Sequence, residues 1–243
     1  MTQLQLSQPR DVGTLFRDTF AVFRAHARLF VTLSAAVVVP VEVIVRGIGL
    51  EMLTSSYDSS PALAEAIVPT VVEFLVVTPI IAAICIYALH AILEQERPAA
   101  GAVLIAGFEA FTPLFAAVLL AAIGIALGFL ALILPGIYLA VRWFVVPQAV
   151  VVEGARGTAA LSRSGQLVQG FWWRTLGLVI LGNVAVAIPG LLLLTPFTAI
   201  AESTDRSFWA LVGSMLATSI TTPFVALYST FIYYDLRARR GEA

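Results

Sequence analysis

Six long apolar segments, separated by short polar linkers, dominate the pattern along the chain. At about 1.5 Å per helical residue, each is long enough, or nearly so, to cross about 30 Å of hydrocarbon. The segments lie at about 29–49, 66–93, 112–134, 136–153, 172–195 and 208–234. The fourth is the shortest, and it is predicted to form a tight hairpin with the third through Pro135-Gly136, because proline and glycine end helices readily. The pattern predicts an all-α membrane protein with six transmembrane helices in one integral membrane domain, residues 1–243.

Two of the linkers have the spacing of amphipathic helices. In residues about 10–28 and about 157–170, apolar side chains recur at helical spacing; arginines occupy the other face of the first segment, and Arg163 with Ser and Gln residues that of the second. Such helices lie in the headgroup plane, with the apolar side in the lipid and the arginines toward anionic headgroups. A more apolar version at 99–111 makes three, and each precedes two spans. We therefore predict three units of interfacial helix plus membrane hairpin; the alternative is that amphipathic linkers are common in multispan proteins.

Composition and charge agree with the membrane class. Of the 243 residues, 60% are apolar and 12% are charged, and the net charge of −1 argues against a nucleic-acid partner. With six spans, the linkers on one side carry all the arginines outside the spans except Arg206, and the opposite side is acidic. The positive-inside rule then places both termini in the cytoplasm, with the chain in the bacterial plasma membrane.

Four charged residues fall well inside the outer halves of predicted spans, namely Glu42, Arg46, Glu73 and Arg142. Counted along straight helices, they lie at similar depths, about 10 Å or less from the outer end. Since a charge at the centre of a membrane helix costs about 2.5–3.5 kcal/mol on insertion scales, unpaired charges are unfavourable there. We predict a neutral cluster facing the bundle interior, in which Arg142 meets a carboxylate from another helix. It either locks the helices in register or lines a cavity that binds an anionic lipid headgroup or relays protons.

The sequence shows no residues arranged for catalysis. The two histidines, His26 and His90, have no Cys, Asp or second His at ligand spacing, and Cys85 is the only cysteine. Ser214 follows a glycine, as in half of an intramembrane serine protease motif, but no histidine is predicted at its depth. We therefore predict a protein that is not an enzyme, with no catalytic residues, no cofactor and no metal.

Residues 135–177 resemble a bacterial membrane domain that is attached to some glycerophosphoryl diester phosphodiesterases and also occurs alone. The matching positions are Pro135-Gly136-Ile137-Tyr138, Arg142, Glu153-Gly154, Ala160-Leu161, Arg163-Ser164, Gly170 and Trp173-Arg174. The opening segment DVGTLFRDTFAVFRAH also suits that family. The resemblance implies a membrane protein without an assigned reaction, because the catalytic barrel is absent from this chain. Where the family usually has tryptophan after the Arg-Ser pair, the chain has Gly165, which argues against tight docking of the 157–170 helix on span five.

Charges at the end of the fourth span suggest how that helix is anchored. Glu153 is placed to pair with Arg156, Arg163 or Arg174 and to pin the 157–170 helix to the inner surface. The alternative is a solvated charge at the membrane boundary. Farther along, Asn183 in the fifth span is predicted to form an interhelical hydrogen bond.

Two functions remain open at this point. The first is a non-enzymatic integral membrane protein, a lipid-interacting or partner-binding membrane scaffold. Its predicted partners are membrane lipids with anionic headgroups, and a membrane protein or a second copy of the chain. The alternative is a small transporter or flippase-like carrier that uses the buried Glu/Arg cluster and its proline-interrupted spans.

Overall fold

The computed structural model describes residues 8–47, 63–94 and 99–242. Within these ranges the regular elements are all helical, which confirms the predicted all-α fold. Eleven α-helices follow one another in these ranges, with a π-helical segment, Glu73–Val77, between the third and the fourth. They are α1 (Val12–Ala25), α2 (Ala27–Gly47), α3 (Leu63–Val72), α4 (Thr78–Leu93), α5 (Ala100–Glu109), α6 (Phe111–Ala131), α7 (Ile133–Arg142), α8 (Val146–Glu153), α9 (Thr158–Val168), α10 (Trp172–Thr204) and α11 (Ser207–Arg239).

Six helical stretches in the described part of the chain are long and apolar enough to cross a membrane, as predicted. They are Ala27–Val45, Ile67–Leu93, Phe111–Ala131, Ile133–Glu153, Trp172–Thr204 and Ser207–Arg239. The last two are longer than predicted because their apolar runs continue into helical polar ends. The short helices α1, α5 and α9 each precede two of these spans, so a short–long–long order occurs three times.

The fourth span differs most from its prediction. It is broken at Trp143–Val145, which separates α7 from α8. The third and fourth spans pack as the predicted hairpin, but its turn is at Leu132, whose backbone is extended (φ −166°, ψ 156°), and not at Pro135-Gly136. Pro135 instead lies in the first turn of α7, where a missing N–H leaves no hydrogen bond unmade. Gly136 packs against α6, where a β-carbon on Gly128 would lie 3.0 Å from the Gly136 Cα atom.

Helix α11 forms the centre of the bundle. Its second half is almost entirely buried, and it packs against α1, α2, α4 and α10. Helix α1 places Phe16 4.6 Å from the ring of Tyr228 on α11 and Phe23 5.7 Å from that of Phe224. The prediction that the whole apolar face of α1 enters lipid is therefore wrong, because much of it packs on protein.

Helix α10 packs mainly along α11, and large apolar side chains on its other face are exposed. Asn183 lies on that exposed face and donates to the carbonyl of Val179, 2.8 Å away in the same helix. The predicted interhelical hydrogen bond is thus replaced by one within α10, which satisfies the amide locally.

Candidate functional site

The polar contacts of the described residues concentrate at one end of the bundle, where α11 ends and α10 begins. We call this the arginine-rich end, because Arg10, Arg163, Arg174, Arg237, Arg239 and Arg240 all make contacts there. Three arrangements of side chains make up the end, and each is built on the last turns of α11 or on the adjacent start of α10.

The first arrangement is the Asp235 cluster, formed by Asp235, Arg10, Arg174, Arg239 and Asp18. The Asp235 side chain is fully buried, and its Oδ2 atom accepts from Arg174 Nη2 and Arg239 Nε, both at 3.0 Å. Its Oδ1 atom accepts from the backbone N–H of Arg10 at 2.7 Å. Such charge-assisted hydrogen bonds satisfy a carboxylate that would otherwise be very costly to bury.

The same cluster fixes the segment before α1. The backbone carbonyl of Arg10 accepts hydrogen bonds from Arg174 Nη2 at 2.6 Å and from Arg239 Nη2 at 2.8 Å. The guanidinium of Arg10 pairs with Asp18 at 3.2 Å. Asp235 was not predicted as a site residue. Its one local signal is Arg239, four residues later on the same helix face, since its other partners are distant in sequence.

The second arrangement is the Glu153 clasp, formed by Glu153, Arg163, Glu242, Tyr233 and Arg237. Arg163 donates to both Glu153 oxygens, at 2.6 and 3.0 Å, and also pairs with Glu242. The Tyr233 hydroxyl donates to Glu153 at 2.5 Å, and Arg237 lies 4.0 Å away. Of the three predicted partners of Glu153, the structure selects Arg163; Arg174 belongs to the Asp235 cluster. A link therefore joins the end of α8, helix α9 and the end of the chain.

Charge pairing in the clasp shifts two pKa values outside the spans. The hydrogen bonds to Glu242 and Glu153 hold the pKa of Arg163 above its ordinary value. The Arg163 guanidinium in turn holds the pKa of Glu242 below the usual 4.5 of a glutamate. Both groups therefore stay charged at neutral pH, which keeps the ion pair formed.

The third arrangement is the Arg142 pocket, a cavity of about 170 Å³ lined by Tyr138, Arg142, Gly165, Val168, Gln169, Gly170 and Trp172. Arg142 is exposed, and its Nη1 atom donates to the Tyr138 hydroxyl at 2.9 Å. The buried Ser164 hydroxyl donates to the Arg142 carbonyl at 2.9 Å, which ties the end of α7 to α9. Trp172 Nε1 donates to the Tyr138 carbonyl at 3.2 Å, which ties α7 to the start of α10.

Gly165 makes room for the guanidinium in this pocket. A β-carbon at position 165 would lie 2.7 Å from Arg142 Nε, too close for the present side-chain position. Gly165 is itself buried, and α9 packs on α6, α7, α8 and α11. The expectation about docking concerned span five, which is α10, and it stays a prediction.

The predicted cluster of four intramembrane charges needs correction at Arg142. Arg142 ends α7 just before the break at Trp143–Val145 and lies beside α9 and the start of α10, where its guanidinium bonds Tyr138 rather than a carboxylate. Glu42 is 8% exposed and accepts from the Ser214 hydroxyl of α11 at 3.4 Å. Glu73 is half-buried and begins the π-helical segment. The side chain of Arg46 lies outside the described residues, as do Glu51, Asp58 and Arg97.

Comparison with known proteins assigns the chain to a family. Residues 97–236, more than half of the chain, match a domain of unknown function, DUF7847. No curated protein and no solved structure matches the chain. The matched range contains every residue that lines the Arg142 pocket, and it contains Glu153, Arg163, Arg174 and Asp235.

Proposed function

The chain belongs to the DUF7847 family, and we propose that it is a non-enzymatic integral membrane protein that interacts with anionic lipid. The observation that carries this proposal is the arginine-rich end itself. Six apolar spans end in a surface where most arginines are neutralised by carboxylates, while Arg142 is exposed beside aromatic side chains. Such a surface suits a headgroup layer rather than hydrocarbon or a catalytic cavity.

Two features support contact with headgroups. Trp173, the second residue of α10, is 79% exposed, and tryptophan is favoured at the boundary between hydrocarbon and headgroups. Exposed apolar side chains continue directly from this boundary along α10, as Ile180, Leu181 and Val184. The start of α10 therefore has the character of an interfacial segment next to a lipid-facing helix.

Lipid retention tests this proposal. The full chain is reconstituted into nanodiscs of phosphatidylcholine and phosphatidylglycerol, and the lipid retained after transfer to detergent is measured by native mass spectrometry. We expect phosphatidylglycerol to be enriched relative to the disc composition. Retention in simple proportion to the disc composition would refute a role that depends on anionic lipid.

We also propose that the arginine-rich end faces the cytoplasm of a bacterial cell, with both termini on that side, since arginine-rich loops stay inside. Cys85 is buried, so the native chain already suits labelling with a membrane-impermeant maleimide. Thr158→Cys, at the start of α9, should be protected in intact cells, and Ser203→Cys, at the other end of α10, should be labelled. The reverse pattern would refute this orientation.

The resemblance to the membrane domain of glycerophosphoryl diester phosphodiesterases stays a prediction. It is carried by Arg142, Glu153, Arg163 and their neighbours, and the DUF7847 family assigns no reaction to them. We propose that Glu153 and Arg163 hold the arginine-rich end together, as their contacts in the clasp support.

A carrier is the second candidate function, and one observation favours it. Glu42 is a nearly buried carboxylate inside a span, hydrogen-bonded to Ser214 of α11, and Glu73 opens a π-helical segment in the next span. Carboxylates inside spans and π-helical segments within α-helices are both frequent at functional sites. If the protein is a carrier, Glu42→Gln should abolish proton-coupled flux of a substrate in vesicles while leaving the fold intact. Unchanged flux in that variant would exclude Glu42 as the coupling residue.

A further inference from the structure

We propose that the Arg142 pocket binds the phosphate group of an anionic membrane lipid, an inference that rests on the lipid-interacting role proposed above. The pocket lies between α7, α9 and the first turn of α10. Its chemistry is that of a guanidinium beside the Tyr138 ring, which in turn stacks on Trp172, and its volume of about 170 Å³ is below the usual range for whole drug-sized ligands. It therefore suits a headgroup phosphate, with the rest of the lipid outside.

Arg142 differs from most of its neighbours in that no carboxylate binds its guanidinium in the described residues; Arg240 donates to the backbone carbonyls of Leu167 and Gln169. Asp235 neutralises Arg174 and Arg239, and the carboxylates of the clasp bind Arg163. Among the described residues, the guanidinium of Arg142 donates a single hydrogen bond, from Nη1 to the neutral Tyr138 hydroxyl. A guanidinium carries five N–H donors in a planar fork that matches two phosphate oxygens, and four of the five make no hydrogen bond within the described residues.

The pocket is held in shape before any ligand binds. The Arg142 guanidinium lies 5.8 Å from the centre of the Tyr138 ring, and that ring stacks on Trp172 with 5.9 Å between centroids. Hydrogen bonds from Ser164 and from the Trp172 indole fix the backbone carbonyls of Arg142 and Tyr138. Little ordering is left for the protein on binding, which favours affinity.

The surroundings of the pocket favour a lipid over a soluble anion. One helical turn before Tyr138, Leu134 on α7 is 79% exposed, and Ile180 on α10 is also exposed. These side chains lie on the two helices that flank the pocket, and they offer an apolar surface for acyl chains. Trp173 adds an interfacial ring beside the entrance. A phosphate that enters here would thus have its lipid tails against apolar helices.

Four variants of the full chain in detergent test the proposal by native mass spectrometry, titrated with phosphatidylglycerol and, separately, with phosphatidylcholine. Arg142→Gln removes the charge, and Arg156→Gln is its control, an exposed arginine in the loop after α8. Gly165→Leu fills the pocket by displacing the flexible end of Arg142. Gly177→Leu is its control, since a β-carbon there would meet nothing within 4 Å. A third titration uses inorganic phosphate alone.

We expect Arg142→Gln and Gly165→Leu each to weaken phosphatidylglycerol binding about tenfold or more, because hydrogen bonds to charged groups are lost. Arg156→Gln and Gly177→Leu should bind within about twofold of the native chain. If Gly165→Leu does not fold, Arg142→Gln alone decides the matter.

Three results are adverse, and they separate the two proposals. If the native chain prefers phosphatidylglycerol but Arg142→Gln binds it equally well, the pocket is not the site, while the lipid-interacting role stands. If the native chain shows no preference over phosphatidylcholine, that role fails and the pocket proposal fails with it. If inorganic phosphate binds in a manner that requires Arg142 while phosphatidylglycerol does not, the pocket takes a soluble anion and the lipid proposal is overturned.

Discussion

Replacement of Asp235 by asparagine tests whether the Asp235 cluster holds the arginine-rich end together. The buried carboxylate accepts hydrogen bonds from Arg10, Arg174 and Arg239, which join the segment before α1 to α10 and α11. The asparagine side chain would keep one acceptor oxygen but would leave the two guanidiniums without their anion. Breaking a buried ion pair on one side costs about 3–5 kcal/mol. Because the Arg174 and Arg239 side chains are 24% exposed, water screens part of this loss, and we expect about 3 kcal/mol.

The assay is reversible unfolding in mixed micelles by a titration with sodium dodecyl sulfate, followed by tryptophan fluorescence. A loss of about 3 kcal/mol is a large part of the usual 5–15 kcal/mol of a folded domain. Glu202→Gln, an exposed carboxylate at the other end of α10, is the matched control and should change the free energy of unfolding by less than about 0.5 kcal/mol. Adding Arg174→Gln to Asp235→Asn should recover part of the loss, because one cation without an anion is removed. A loss below about 1 kcal/mol for Asp235→Asn would refute the reasoning.

Three further predictions concern the clasp and the α6/α7 hairpin. Glu153→Gln should weaken the hold of Arg163 on α8 and speed proteolysis between α8 and α9, measured on membranes, and an unchanged rate would contradict it. The pKa of Glu242 is lowered in the folded state, so its contribution to stability is present above about pH 4.5 and is lost as the pH falls through the folded-state pKa. Amide hydrogen exchange in α9 should therefore become faster only below about pH 4.5. Faster exchange near neutral pH would contradict the pairing of Glu242 with Arg163. Gly128→Val should push α6 from Gly136 and cost about 1–3 kcal/mol in the same unfolding assay, whereas a neutral effect would show that the hairpin relaxes freely.

The six spans were predictable because run length alone decides whether a helix can cross hydrocarbon. Backbone hydrogen bonds must be satisfied within each segment, so an apolar run of about 20 residues has few alternatives to a helix. The bounds of the spans were less accurate, since polar ends such as Glu202–Thr204 continue α10 without any apolar signal. Helix ends depend on tertiary contacts and caps more than on hydropathy.

Arg142 shows where counting along a sequence fails. Its predicted depth assumed one straight helix through 136–153, but the chain turns at Leu132 and breaks at Trp143–Val145. The Trp143 ring occupies the space that a β-carbon on Gly124 would need, so this bulky ring packs on a glycine of α6 beside the break. A contact of this kind is set by the partner helix, and the local sequence does not encode it.

Ion pairs between residues close in sequence were easier to predict than ion pairs between distant residues. Glu153 ends α8 and Arg163 lies in the middle of α9, ten residues later, so their pairing needed little knowledge of the fold. Arg174 was assigned to the same site, but it pairs with Asp235, 61 residues later. The sequence offers several arginines for each carboxylate, and the packing of α10 on α11 determines which arginine pairs with Asp235.

The packing of the helices determines which charges at the arginine-rich end pair within the chain and which stay available to an anion from outside. The Asp235 cluster ties the segment before α1 to α10 and α11, and the Glu153 clasp ties α8 and α9 to the end of the chain. In both networks the carboxylates pair with guanidiniums whose side chains are at most 29% exposed. Arg142 is more exposed, and its position is fixed by neutral groups, so in the described part of the chain its charge is not used to hold helices together. A fixed guanidinium with open donors at a membrane boundary lowers its free energy most by meeting an anion from outside the chain, and the headgroup layer is where such anions are concentrated.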